Sequence, residues 1–401
     1  MVTAQRQFRR GVIPLALVLL AGCGGTNDTA EDPAAKEETP HGYVEGAEET
    51  AEAQSRLVVA DEETGQVRVL DLVGEHEWPI ELPVDSVEGL MGDGRFGYVV
   101  AGGAVHIVDS GSWMVDHGDH VHYYRSEPSA AGSVELAAPS AVFSGPVITS
   151  VSSAEGPATL LDTSALEEGN AESAGALGEG GEAAVVPFGE HLLVPATREG
   201  AGVIEVRRQG GEIVDTLAEP CHDPGGVAVT RLGVVFGCQD GALLVSESKE
   251  TVRGDKIGYP EQVGEADRAR EFQHRPGSTT LVARAGDTAV WVLDAAARTW
   301  ARVETGPVTA ANTAGEGAPL LTLTAEGVLR AHDIDSGTET ATARLLEKPD
   351  PRATILVDTS RAYVNDPRAG VVHEIDYNDD VRVARTLSVD IAPTHIVETG
   401  R

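Results

Sequence analysis

Apolar residues recur along this chain in short paired runs separated by tight turns, and no long segment carries a sustained apolar stripe at the 3.6-residue period of a helix. Eight times a β-rich run, a turn and a second run follow one another, and several of the second runs end on aspartate. The first unit is 56-RLVVADEETGQVRVLD-71, the second 95-RFGYVVAGGAVHIVD-109, the sixth 279-TTLVARAGDTAVWVLD-294 and the eighth 361-RAYVNDPRAGVVHEID-376. From Asp71 to Asp376 the seven intervals average about 44 residues, the period of a four-stranded propeller blade. A blade cannot bury both of its faces alone, so blades stack in a ring. The pattern therefore predicts an all-β chain folded as a β-propeller over residues 56–401. Eight blades are expected, with seven as the alternative if the fourth or fifth repeat is an insertion. The run Thr394 to Thr399 has no hairpin of its own and is expected to close the ring as the inner strand of the blade that begins near Arg56. The 46 glycines and 21 prolines suit a fold with many turns.

The N-terminal segments depart from this pattern. Arg6, Arg9 and Arg10 precede an apolar stretch, Val12 to Leu20, that is too short to span a bilayer, so residues 1–22 read as a signal peptide. The stretch closes on Leu20-Ala21-Gly22-Cys23, which resembles the lipobox of bacterial lipoproteins and predicts lipidation at Cys23. An extracytoplasmic, membrane-anchored protein on the cell surface or the periplasmic side is expected. Residues 23–55 are rich in Glu, Ala, Thr, Asp and Gly and poor in apolar side chains, the composition of a flexible acidic tether.

Charge narrows the choice of partner. With 64 acidic against 30 basic residues the net charge is -34, which argues against a nucleic-acid or anionic-membrane surface and permits cation binding. Cys221 and Cys238 are the two cysteines beyond Cys23, and in an oxidising compartment they are expected to pair. A Cys/His metal site using them with the adjacent His222 is the alternative.

Most of the 12 histidines have an ordinary explanation. His106 and His373 occupy the repeat position of Arg68, and His332 lies beside Asp333 in the same kind of strand. The exception is 113-WMVDHGDHVHYYRSEP-128, where His117, His120 and His122 fall within six residues, interleaved with Asp116 and Asp119. Spacing two puts His120 and His122 on one face of a strand, where two imidazoles can share a metal. Gly118 permits a turn that brings His117 or an aspartate to a third position, and the aspartates can instead orient the rings. Imidazole and carboxylate without thiolate or thioether suit Zn²⁺ and disfavour Cu(I), Ca²⁺ and Mg²⁺; Cu²⁺ and Ni²⁺ share the ligand preference. His222, His274 and His395 sit in segments that enter inner strands, and His222 is expected as a further ligand. His41, in the acidic tether, is read as a solvated histidine or a weak second contact.

The segment 116-DHGDHVHYY-124 resembles that of the AztD-type zinc metallochaperones. The resemblance extends to 41-HGYVEGAEE-49, 233-GVVFGCQDGALL-244, 288-TAVWVLDAAARTW-300 and 361-RAYVNDPRAGVVHEIDY-377. It implies a β-propeller that binds zinc at His117, His120 and His122 and passes it to the solute-binding lipoprotein of a zinc ABC transporter. The loop after Cys221 departs from the family pattern, with Gly225-Gly226 after Pro224 and His222 as the nearby histidine.

A monomer is expected, and no catalytic activity, since a Gly-x-Ser-x-Gly elbow, a His-Glu-x-x-His helix and a phosphate-cradling glycine loop are all missing from the mature region. The rival readings are a lactonase-like or quinoprotein-like propeller enzyme and a surface interaction scaffold.

Overall fold

The computed structural model describes residues 46–116, 120–178, 184–249 and 251–401. The signal peptide of residues 1–22, the lipidation at Cys23, His41, His117, Gly118 and Asp119 lie outside the described residues.

Strands dominate, and the described helices are one five-residue α-helix, Thr163–Glu167, and one 3₁₀ turn, Glu265–Asp267. Eight antiparallel sheets follow one another along the chain. Seven have four strands and the sixth has three, Thr280–Ala285, Ala289–Asp294 and Thr299–Glu304. In that sixth sheet the innermost position is held by a single bridge, Gln273 with Val282, closed by two backbone hydrogen bonds of 2.8 and 2.9 Å.

Each pair of successive sheets encloses one apolar cluster. Val58, Ala60 and Val69 of the first sheet meet Val99 and Val108 of the second. Leu57, Val59 and Leu70, on the other side of the first sheet, meet Tyr363, Val372 and Leu387 of the eighth. Because side chains alternate across a strand, a run such as Arg56–Ala60 is buried along its whole length yet serves two different clusters. Eight clusters of this kind close the circuit. The faces approach closely: a Cβ added to Gly97 of the second sheet would stand 2.9 Å from Val58 Cγ1. Glycine is the residue that permits this contact.

The ring closes where the sequence places the join. His395–Thr399 pairs antiparallel with Arg56–Ala60, in the register Arg56 with Thr399 and Ala60 with His395, as the innermost strand of the first sheet.

A ninth, three-stranded sheet stands apart from the repeat. Ser112–Asp116 and Val121–Arg125 form a hairpin between the third and outermost strands of the second sheet, and Glu48–Thr50 pairs with the free edge of the second hairpin strand. Glu48–Thr50 falls inside the stretch read from composition as tether, so part of that stretch is ordered as a strand. Backbone pairing to residues 123–125, with an ion pair from Glu48 to Arg125, holds this strand despite its polar composition.

Candidate metal site on an inserted hairpin

The hairpin is fixed at its base by polar contacts and at its middle by rings. Arg95 donates to Asp109 at 2.7 Å in a buried ion pair, and Asp109 in turn accepts from the Gly111 amide at 2.8 Å. Arg56 donates to the carbonyls of Ser110 and Ser126, one at the entrance to the hairpin and one at its exit. The Arg95 guanidinium lies 4.0 Å over the Trp113 ring, a cation–π contact made in a desolvated setting.

Alternation within the hairpin then sorts the side chains. Trp113 opposes Tyr124 and Val115 opposes His122, so these four share one face with His120, while Met114, Val121 and Tyr123 occupy the other. Rings step along the first face from base to tip. Trp113 stacks on Tyr124 at 5.5 Å, Tyr124 on His122 at 6.3 Å, and His122 meets His120 edge to face at 4.9 Å. Burial falls in the same direction: Trp113 and Tyr124 are buried, His122 is partly exposed and His120 is exposed. Burial, with the Glu49 carboxylate as a second cause, raises the pKa of the Tyr124 hydroxyl.

The structure therefore brings His120 and His122 together at the open end of a braced hairpin. The added strand contributes a third group, for Glu49 Oε1 is 2.7 Å from His122 Nδ1. Among the described residues no set of three or more His, Cys, Asp or Glu side chains is gathered as a metal cluster. The described donors comprise two imidazoles with a carboxylate hydrogen-bonded to one of them, a set whose chemistry fits zinc.

His222 is not brought to this pair. The strands of each sheet run alternately up and down, so connections between first and second strands, and between third and fourth, emerge on one side of the ring. Connections between second and third strands, and from one sheet to the next, emerge on the other. The hairpin belongs to the first kind and the loop 217–224, between the fourth and fifth sheets, to the second. There the His222 Nδ1 accepts from the Gly202 amide at 3.4 Å, and its carbonyl accepts from Gln239 at 2.8 Å.

The neighbouring cysteines form a disulfide, Cys221–Cys238, with Cα atoms 5.1 Å apart, inside the cluster between the fourth and fifth sheets. This rules out the Cys/His metal alternative, since bridged sulfurs offer no thiolate.

The other histidines belong to the ring. His106 and His373 lie in third strands, as Arg68 does, opposite Val99 and Val364. The His332 Nε2 is 3.1 Å from the Thr322 hydroxyl, and the His274 Nε2 is 3.0 Å from the Val229 carbonyl. His395 sits in the closing strand. Burial lowers the pKa of all five imidazoles.

Glu49 is the site residue that sequence reasoning missed. It was one acid among many in the stretch before Ser55, and no periodicity marks a three-residue strand whose partner lies 73 positions away.

No protein-family profile matches the sequence. Among solved structures, apo AztD from Citrobacter koseri is similar with a TM-score of 0.71 and 17% identity, over 86% of this chain and 98% of that one. A second structure of Citrobacter koseri AztD gives a TM-score of 0.70 and 18% identity, over 87% and 99%. Saccharomyces cerevisiae Sqt1 is more distant, with a TM-score of 0.50 and 10% identity over 77% and 86%. At these identities the likeness is one of fold, and it extends over nearly the full length of AztD.

Proposed function

We propose that this protein is an exported, lipid-anchored zinc carrier that hands its metal directly to the solute-binding lipoprotein of a zinc ABC transporter. The observation that carries the reading is the pair His120 and His122, edge to face at the tip of a hairpin that takes no part in the ring's core. Two further considerations support it: the resemblance of the 116–124 segment to AztD-type metallochaperones, and a fold shared with AztD.

A carrier has to hold its cargo and also give it up. Imidazoles at an exposed tip can be approached by an incoming ligand, so a partner's side chains can enter one at a time while the metal stays coordinated. The stacked rings beneath hold the two histidines in place during that exchange. His117 and Asp119, adjacent in sequence, are the proposed remaining donors. The acidic tether would keep the carrier near a membrane-held partner and so raise the effective concentration of each for the other.

The test is to mix zinc-loaded protein with the apo solute-binding protein from the same organism, in the presence of a chelator that cannot enter either site. Direct transfer predicts a rate independent of chelator concentration. Interception in proportion to the chelator would mean that zinc passes through solution, and the carrier reading would fail.

A further inference from the structure

We infer that Glu49 is the positioning residue of the zinc site, and that the strand Glu48–Thr50 therefore belongs to the metal-binding unit as much as to the tether. The inference rests on the zinc reading of His120 and His122 and adds a residue that acts through one of them.

The geometry comes from the backbone first. Glu48–Thr50 pairs with Tyr123–Arg125, and the register puts Glu49 opposite Tyr124. Opposed residues share a face, so Glu49 lies on the face that carries His122 and Tyr124, one diagonal step from His122. From there its carboxylate reaches His122 Nδ1 at 2.7 Å. Its neighbour Glu48 is on the opposite face and binds Arg125 at 2.9 Å, out of contact with either histidine. Adjacent acids thus have separate tasks, one holding the strand and one holding the ring.

The chemistry follows from the inventory of donors and acceptors. An ionised carboxylate only accepts, so the neutral His122 ring must donate through Nδ1–H. That fixes the tautomer and leaves the lone pair on Nε2, the atom through which the ring can bind metal. It also fixes the ring's rotation about its Cβ–Cγ bond, already limited by the stacking on Tyr124. A carboxylate behind a metal-bound imidazole is a recurrent arrangement, and its loss typically weakens metal affinity by about 10–100-fold.

Two measurements on the full mature chain test this. In the metal-free protein, the ¹⁵N shifts of His122 report its tautomer: the Nδ1–H form is expected in the wild type and a mixture in Glu49→Ala. In competition against a chelator of known affinity, Glu49→Ala is expected to weaken zinc binding by about 10–100-fold. Glu49→Gln, whose amide oxygen still accepts, is expected to recover most of that loss, and Glu48→Ala to stay within about twofold of wild type.

Zinc affinity unchanged in Glu49→Ala would overturn the inference. So would an equal loss in Glu48→Ala, which would show that docking of the strand, and not orientation of the ring, is what matters. Neither result touches the site itself: only retention of zinc by the His120→Ala/His122→Ala variant would remove the reading on which the inference stands.

Discussion

The ring and the inserted hairpin are both antiparallel β-structure, yet they are held by different means. Every strand of the closing pair Arg56–Ala60 and His395–Thr399 faces apolar clusters or neighbouring strands, and each sheet shares its two faces with two neighbours. The hairpin's two strands and the edge strand added to them are only five, five and three residues long. Its order comes from Arg95 and Arg56 at its base, a ladder of rings, and a short edge strand tied to it by the Glu48–Arg125 ion pair. A change at its tip removes nothing from the eight clusters. The proposed zinc chemistry thus lies on an element that contributes no side chain to the eight apolar clusters.

One double variant should separate ring from hairpin outright. His120→Ala/His122→Ala should lose zinc by at least about 100-fold while its thermal midpoint without metal stays within about 2 °C of wild type, since neither ring packs in a cluster. Metal analysis beside a melting curve checks both halves, and a drop in midpoint would mean that the hairpin supports the ring.

The converse variant is Trp291→Ala. Trp291 is buried between the fifth and sixth sheets and donates from its indole nitrogen to the Asp267 carbonyl at 2.7 Å. Its removal should cost about 3–5 kcal/mol in urea unfolding and leave zinc affinity unchanged. Reduction of Cys221–Cys238, which closes a separation of 17 residues, should cost roughly 3 kcal/mol by the chain-entropy estimate, again without loss of zinc.

The smallest effect is on pH, where the two regions should respond in opposite directions. Burial pushes the Glu398 carboxyl up to about 7, with the Arg401 guanidinium opposing the shift. A folded-state pKa above the unfolded value gives stability that is full below about pH 4.5 and is lost as the pH rises through 7. Glu398→Gln should therefore stabilise the ring by about 2–3 kcal/mol at pH 8 and by little at pH 4. Zinc at the hairpin should move the other way and be released in acid, because coordinating imidazoles must be neutral. Unfolding and metal retention measured across the same pH series would expose any coupling between the two.

Much of the ring was legible in the sequence because its physics is repetitive. Paired runs at a period of about 44 residues, glycine at the turns and an orphan strand after Thr394 follow from sheets that must stack and close. The sixth sheet's missing inner strand left no such mark, since Gln273 and Val282 pair through backbone alone.

At the site, spacing two was enough to put His120 and His122 on one face. The ladder behind them was not foreseen: Trp113 and Tyr124 look like any strand aromatics until the register sets them opposite each other. Placing His222 required knowing which strand each loop follows. Counting strands within the repeat would have put it on the side away from the hairpin, but the hairpin's own two strands obscured that count.

The closing strand has a consequence for how the molecule reaches its folded state. The Thr394 and Thr399 hydroxyls hydrogen-bond to the carbonyls of Ala60 and Arg56, partners 334 and 343 positions away. Bringing such distant segments together costs on the order of 5 kcal/mol of chain entropy, and no local contact can offset that in advance. Folding should therefore have a slow phase in which seven sheets wait for the first to be completed. Contacts made after the transition state act mainly on the rate of unfolding, so the same latch that delays folding should keep the ring shut once it has formed.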